Sequence, residues 1–433
     1  MIEIHKYPAE SLWPELLKRP VMDLSDIEGR VAPVLAAIAA EGDAAVRRFT
    51  ERFDGVELEA LQIGPEVLAQ AGESLSPALK EAIQAAKANI ERFHAAQKEE
   101  PQRIETMPGV VCWRKSVPIQ RVGLYIPGGT APLFSTLLML GVPAKLAGCP
   151  QVVLCTPPGP EGLPHPAILY TAHLVGVDAV YAIGGAQAIA AMGHGTETIP
   201  QVNKIFGPGN QYVTMAKQLM SKAGLPIDMP AGPSEVAVIA DDSADAAFVA
   251  ADLLSQAEHG IDSQVLLLTT SEQLLGAVEA EVEKQLATLP RREVAAQAMA
   301  NSRAVLLADR EQVIAMANRY AAEHLIIATE APEAWAADIV NAGSVFLGHY
   351  SPESVGDYAS GTNHTLPTNG WARSYSGVSL DSFVKKITFQ QLSPQGLQKI
   401  GPIVEEMAAA EALEAHKRAV SLRLQKINTS TPT

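Results

Sequence analysis

Apolar positions along the chain fall into two textures, and the change between them comes near Arg121. Before it, Val31, Val34, Leu35 and Ile38 recur at helical spacing, and Leu79, Ile83, Ala86, Ile90 and Phe93 repeat the pattern. Ser25 and Glu28 precede the first set as a capping box, with the polar side chain three residues ahead of its acidic partner. Roughly the first hundred residues therefore predict helices that shield another layer, and the stretch 84–102 turns polar.

From Arg121 onward, short apolar runs end in Gly or Pro and give way to helical stretches, the pattern of βα units in a largely parallel sheet. The first unit is VGLYI from Val122, the turn PGGTAP and a helix through Leu137 to Leu146. VVLC from Val152 to Cys155, AVYAI from Ala179 and KIFG from Lys204 follow, with turns GGAQ at Gly184 and GPGN at Gly207. Pro233 and the Gly-Pro dipeptides mark a boundary near residue 230. A second α/β stretch then opens with Glu235 to Ala240 as its strand and continues through VLLLT, AVLLA, HLIIA and SVFLG. From about Leu380 the chain reads as helical through EEMAAAEALEAHKRAVSLRL, and the closing NTSTPT is expected to be disordered.

Composition narrows the function without choosing it. A length of 433 residues exceeds one compact core and fits two or three domains. Hydrophobic residues at 47% and charged residues at 19%, with no apolar run long enough to cross a bilayer, describe a globular chain without a membrane span. The opening MIEIHKYPAESLW lacks the basic and apolar regions of a secretion signal. Thirty-three basic against 48 acidic side chains give a net charge of −15, which repels nucleic acid and points to small-molecule ligands. Cys112, Cys149 and Cys155 include no C-x-x-C pair and cannot form a disulfide framework, so the expected compartment is the reducing cytoplasm.

Several stretches carry candidate chemistry. In an open α/β sheet the ligand lies beyond the carboxyl ends of the strands, so IPGG, GGAQ and GPGN would gather along one edge suited to a nucleotide. The glycine fingerprint is broken, because Tyr212 stands where a third glycine would follow Gly207 and Gly209, and no acidic ribose partner comes after it. Plain strand-to-helix turns remain the alternative there. In DLLSQAEHG, a helix ending at Gly260 would place Gln256 and His259 one turn apart on one face. An amide oxygen and an imidazole nitrogen can bind a divalent metal, yet two ligands are not a site, and a helix C-terminus favours histidine anyway.

The stretch VGDYASGTNHTLP, Val355 to Pro367, looks too irregular for a helix or strand and offers Asp357 and His364, though its polar residues could equally cap turns. Glu323 and His324 form an acid–imidazole pair at the mouth of HLIIA, suited to two protonation tasks at one carbon or to ordinary hydrogen bonds. Glu411 and His416 are five apart in the terminal helix, about 140° around its axis, and share no face. Cys149 and Cys155 read as buried small hydrophobes; Cys112, beside Arg114 and Lys115, is the least improbable reactive thiol and still reads as structural. His5, His94, His165, His173, His194 and His349 have no second ligand at useful spacing.

Taken together, LLSQAEHG, PAGPSEV, FGPGN, EHLII, SVGDYASGTNHTLPT and the terminal AHK resemble histidinol dehydrogenase, in order and spacing from about Tyr125 to His416. The resemblance implies an aldehyde-dehydrogenase-like α/β fold with two incomplete Rossmann-like parallel-sheet domains and helical terminal segments. The expected division is an N-terminal segment 1–20, a metal-bearing catalytic domain from 21–110 and 234–378, an NAD-binding domain 111–233, and a C-terminal helical segment 379–433 reaching a partner subunit. It further implies a cytoplasmic homodimer with one zinc ion per subunit that oxidises L-histidinol to L-histidine with two NAD. Carried over by position, Gln256, His259, Asp357 and His416 match the zinc ligands, and the substrate's nitrogens fill the open positions. Ser234, His324, His364 and Glu411 match substrate contacts, and Tyr125, Gln187 and Asn210 match NAD contacts. His324 would act as base in both oxidations, with Glu323 activating the water between them. The alternatives are a related NAD-dependent dehydrogenase of another small alcohol, a zinc hydrolase using Glu323 and a metal-bound water, and a binding protein without catalysis.

Overall fold

The computed structural model describes residues 2–20, 25–128, 132–229 and 232–429. The chain divides into two compact units, one of residues 1–97 and 119–383 and a smaller one of 98–118 and 384–433.

Two parallel sheets organise the larger unit. The smaller of them orders its strands Ala179–Ala182, Gln151–Thr156, Arg121–Tyr125 and Lys204–Phe206. These are buried on both sides, which is why they read as continuous apolar runs. Val153 and Cys155 face one layer of helices while Val152 and Leu154 face the other, the alternation that a pleated strand imposes. The first layer includes Ser25–Glu41, Asp43–Asp54, Gly185–His194 and Gln211–Lys222; the second has Phe134–Leu146 and Pro166–Val175.

Val31, Val34, Leu35 and Ile38 are all buried in the first layer, as their spacing predicts. The capping role expected of the Ser25 side chain, the turn residues 129–131, residues 230–231 and the tail 430–433 lie outside the described residues. In the helix Pro77–Ala95, Ile83, Ala86 and Ile90 pack on Leu138, Met139 and Val142, whereas Phe93 is exposed and His94 takes the buried place. In packing, these N-terminal helices thus go with the small sheet rather than with the sheet of 234–378. An apolar stripe specifies that a face is buried, not what buries it.

The larger sheet has six parallel strands in the order Glu3–Lys6, Arg303–Leu306, Gln264–Thr269, Glu235–Ala240, His324–Ala328 and Ser344–Leu347. One face packs on Ala246–Ala257, Glu272–Leu286 and Arg292–Ala300, the other on Arg310–Tyr320 with Trp13 and Trp335. Each fully buried Val, Leu or Ile in such a layer contributes about 1.5–3 kcal/mol.

The smaller unit differs from the expected terminal helix. Val384–Leu392, Val110–Pro118 and Arg103–Met107 form an antiparallel sheet in that order. Trp113 stacks on Phe389 at 5.4 Å between ring centroids. Two helices follow, Pro394–Ala410 and Glu414–Thr429, packed closely where Gly401 meets Leu424 and Val420. The chain turns between them at Ala412, whose φ of 58° ends the first helix without a glycine.

Candidate active site

The site of the larger unit forms where the amino ends of two neighbouring strands meet a helix end. Glu235–Ala240 and His324–Ala328 pair in parallel with His324 opposite Val236, which brings Ser234, Glu235, Glu323 and His324 together. Glu235 N–H donates to Glu323 Oε2 at 2.9 Å and ties the two strand starts. The helix Ala246–Ala257 ends one turn earlier than its sequence suggests, with Gln256 buried in its last turn and His259 beyond it. A backbone bond from His259 N to Gln256 O, 3.2 Å, keeps the pair one turn apart all the same.

Asp357 lies on a short helix, Glu353–Tyr358, where the sequence suggests irregular chain; Pro352 occupies its N-cap. Glu353 and Asp357, four apart, share its inner face. His324 Nε2 sits 3.1 Å from Asp357 Oδ1, and its Nδ1 sits 3.3 Å from Glu235 O. His364 is held through Nδ1 to Asp357 O at 2.7 Å and through Nε2 to Thr136 Oγ1 at 3.1 Å. Thr136 begins the helix after the first strand of the small sheet, so this imidazole bridges the two sheets.

Gln256, His259, Glu323, His324, Asp357 and His364 line one cavity of about 200 Å³, and Ser234 joins them with Oγ 3.4 Å from His259 Nδ1. A wider cleft of about 1050 Å³ shares Ser234 and His259 and runs past Asn210 and Tyr212. The small sheet presents its carboxyl edge to the cavity through Gly207 and Pro208; the large sheet presents its amino edge. Lys217 fixes that glycine turn by donating to Gly207 O at 2.8 Å, while Asp228 accepts from Gly207 N at 2.9 Å and pairs with the lysine.

Charge is unbalanced at the cavity floor. Burial lifts the Glu323 carboxyl well above its usual range although His324 opposes it, and burial lifts Glu353 to about 7. Desolvation alone would lower His324, but Glu323, Asp357 and Glu353 outweigh it and hold its pKa raised. Asp357 is held low: desolvation pushes it up, and the His324 hydrogen bond and charge pull it further down. His259, with an exposed edge at the mouth, and half-buried His364 are both lowered by desolvation, partly countered by Asp357.

Three carboxyl groups thus surround one imidazole, an excess that a divalent cation would offset. The donors fit such an ion: an amide oxygen, an imidazole nitrogen and a carboxylate on one cavity. Among the described residues no three His, Cys, Asp or Glu side chains form a metal-holding group by themselves. Gln256 is needed to make a third donor.

The remaining sequence candidates fall in two places. Tyr125 and Gln187 are buried at the carboxyl end of the small sheet, where Gly185 N–H donates to Tyr125 Oη at 3.1 Å. Gln187 Nε2 donates to Asp54 Oδ2 at 3.1 Å, which sets beside these turns a carboxylate that lies far ahead of them in sequence. Asn210 caps the next helix, its Oδ1 accepting from Tyr212 N and Val213 N. Glu411 and His416 lie exposed in the smaller unit and, because of the turn at Ala412, do not share a helix: Glu411 is the C-cap of the first and His416 lies in the second. Cys149 and Cys155 are buried, with thiols pushed up by desolvation, Cys149 to about 11.

The family model described as histidinol dehydrogenase matches residues 17–424. The chain belongs to the histidinol dehydrogenase family. That family consists of NAD-dependent oxidoreductases that catalyse the final step of histidine biosynthesis. Histidinol dehydrogenase of Bacteroides thetaiotaomicron is 57% identical over 427 residues, covering 99% of this chain and 100% of the relative. That of Vibrio cholerae is 52% identical, covering 97% of each. The crystal structure of histidinol dehydrogenase from Elizabethkingia anophelis superposes with a TM-score of 0.97 at 55% identity, over 99% of both chains. An NAD-dependent aldehyde dehydrogenase from Sinorhizobium meliloti, 13% identical, matches 84% of this chain and 87% of its own with a TM-score of 0.50, a likeness of fold. The α/β architecture with two parallel sheets thus stands as its sequence predicts, and nothing in the family favours the hydrolase.

Sequence reasoning missed Glu353, Thr136, the Lys217–Asp228 clamp and the buried pair of Arg19 with Glu235. Only Glu353 leaves a local signal, its spacing of four from Asp357 after Pro352.

Proposed function

We propose that this chain oxidises L-histidinol to L-histidine in two hydride transfers to NAD at a zinc site that a second copy of the chain completes. The convergence of Gln256, His259 and Asp357 with Glu323 and His324 on one cavity carries this reading. Gln256, His259 and Asp357 would hold the metal together with His416 of the other copy, one zinc per subunit. When bound, zinc supplies positive charge against the carboxylates and an anchor for the substrate's imidazole and amino nitrogens. NAD is the hydride acceptor, reached through the cleft past Asn210, with Tyr125 and Gln187 at the neighbouring turns.

His324 in its neutral form, favoured once a cation offsets the carboxylates that raise its pKa, takes the hydroxyl proton as hydride leaves the carbon, giving L-histidinal, which stays in the site. Water then adds to the aldehyde, Glu323 accepting its proton while protonated His324 returns one to the carbonyl oxygen, and the neutral His324 takes a gem-diol hydroxyl proton as the second hydride leaves. The two oxidations together release two NADH and three protons, the third from ionisation of the new carboxyl group, and the added water supplies the second carboxylate oxygen. Ser234, His364 and the other copy's Glu411 hold the substrate. Depth of burial suits Glu323 to this task, since a carboxyl with a raised pKa exchanges protons near neutrality. Three free thiols and the absence, among the described residues, of any helix long and apolar enough to cross a membrane fit a cytoplasmic enzyme without a cysteine nucleophile.

The test is substrate choice. Initial rates with L-histidinol should exceed by roughly 10³-fold those with a chain-length-matched amino alcohol lacking the imidazole, because the anchoring groups then stay unpaired. Equal rates would move the reading to another small alcohol.

A further inference from the structure

The Gln256 amide is fully buried, and its neighbours decide which way round it lies. With the NH₂ group toward Glu353, it donates to both carboxylate oxygens at 2.8 and 3.2 Å, and its carbonyl oxygen lies 3.3 Å from Glu235 N–H. Turned over, the carbonyl would face two carboxylate oxygens and the NH₂ would face an N–H. The Glu235 N–H has a better acceptor in Glu323 Oε2 at 2.9 Å, so the Gln256 oxygen keeps accepting capacity for another partner. Glu353 is itself 1% exposed and accepts from Ser255 Oγ at 2.7 Å.

We propose that Glu353 is a positioning residue for the metal, fixing the Gln256 amide so that its oxygen, not its nitrogen, serves as the ligand. This rests on the reading of Gln256 as a metal ligand. The amide NH₂ and the Ser255 hydroxyl both face this carboxylate, one N–H being shared between its two oxygens. A carboxylate turns an acceptor oxygen to the amide whichever way it lies, whereas an amide in its place presents an NH₂ on one side. The short helix Glu353–Tyr358 therefore carries both a ligand, Asp357, and the group that aims a second ligand on another element. A partner of this kind acts on affinity by holding the donor in the binding orientation before the ion arrives.

The experiment is zinc affinity of the full-length protein by competition with a chromophoric chelator, for wild type, Glu353→Gln, Glu353→Met, Gln256→Ala and the double variant Gln256→Ala/Glu353→Met. Glu353→Met should weaken zinc about 10–100-fold and Glu353→Gln by less, the range for lost partners of metal ligands. In the Gln256→Ala background Glu353→Met should cause no further loss, because no amide remains to be aimed. Melting of the metal-free proteins shows whether each is folded, and Glu353→Gln carries the test if Glu353→Met is not. Unchanged zinc affinity in both Glu353 variants, with Gln256→Ala weakened, would overturn the proposal. So would an equal loss in both backgrounds, which would mark a general structural role. Zinc bound as tightly by Gln256→Ala as by wild type would instead overturn the ligand reading on which the proposal stands.

Discussion

His324 Nε2 stands 3.1 Å from Asp357 Oδ1, so the imidazole assigned to proton transfer and a carboxylate assigned to the metal are directly joined. The contact fixes the ring plane while Nδ1 is held toward Glu235 O. Replacing His324 by Asn should lower kcat by about 10²–10⁴-fold, the usual worth of a positioned general base, with a much smaller change in KM. Steady-state kinetics on both substrates check it; a loss confined to KM would make His324 a binding group only.

The second copy's contribution can be tested by mixing two inactive proteins. If His416 completes the other subunit's site, a heterodimer of Gln256→Ala and His416→Asn subunits has one site with every ligand and one site lacking two. Random exchange makes half of the dimers mixed, so activity should recover to roughly a quarter of wild type. Recovery to nothing above the parents would mean that His416 serves its own chain.

Arg19 grips Glu235 through Nε and a terminal nitrogen at 2.5 and 2.9 Å and donates to Tyr320 O at 2.7 Å. Its guanidinium lies 4.1 Å above the Tyr320 ring. Arg19→Met leaves a buried carboxylate without its cation and should cost about 3–5 kcal/mol in denaturant unfolding. The double variant Arg19→Met/Glu235→Gln should recover much of this, since the uncompensated charge is gone. Equal destabilisation in both would assign the loss to packing on Tyr320.

Asp54 gives a pH signature outside the catalytic cavity. Burial raises its pKa from 3.8 to about 6 against the Gln187 hydrogen bond, so the folded protein binds this proton more tightly than the unfolded chain. Its contribution to stability therefore falls as pH rises through the window from 3.8 to about 6 and is level above it. In Asp54→Asn that component is absent: the stability of wild type relative to the variant should decline across this window, measured by thermal melts. A flat difference would mean that Asp54 titrates normally.

Strands were the most legible part of the fold, because burial on both sides demands unbroken apolar runs, and His324–Ala328 and Glu235–Ala240 have the limits their sequence predicts. The antiparallel strands Val110–Pro118 and Val384–Leu392 were not legible: they are half exposed, far apart in sequence and carry charges at several positions. The break at Ala412 was invisible, since EALEA is made of strong helix formers and no glycine marks the left-handed residue. At the site, residue types and spacing singled out Gln256, His259 and the Glu323–His324 pair, which the fold brings to one cavity. Glu353 and Asp54 stayed hidden because their roles arise from partners 97 and 133 positions away, Gln256 and Gln187, which no local pattern encodes.

The measurement that bears most directly on the account is the yield of NADH per L-histidinol consumed, followed by absorbance before chelation, after it and after zinc is restored. Two NADH per substrate, lost on chelation and regained with zinc, is the predicted result. One NADH, with L-histidinal released, would contradict both the retained aldehyde and the water-activating role of Glu323; two NADH unaffected by chelation would contradict the metal site.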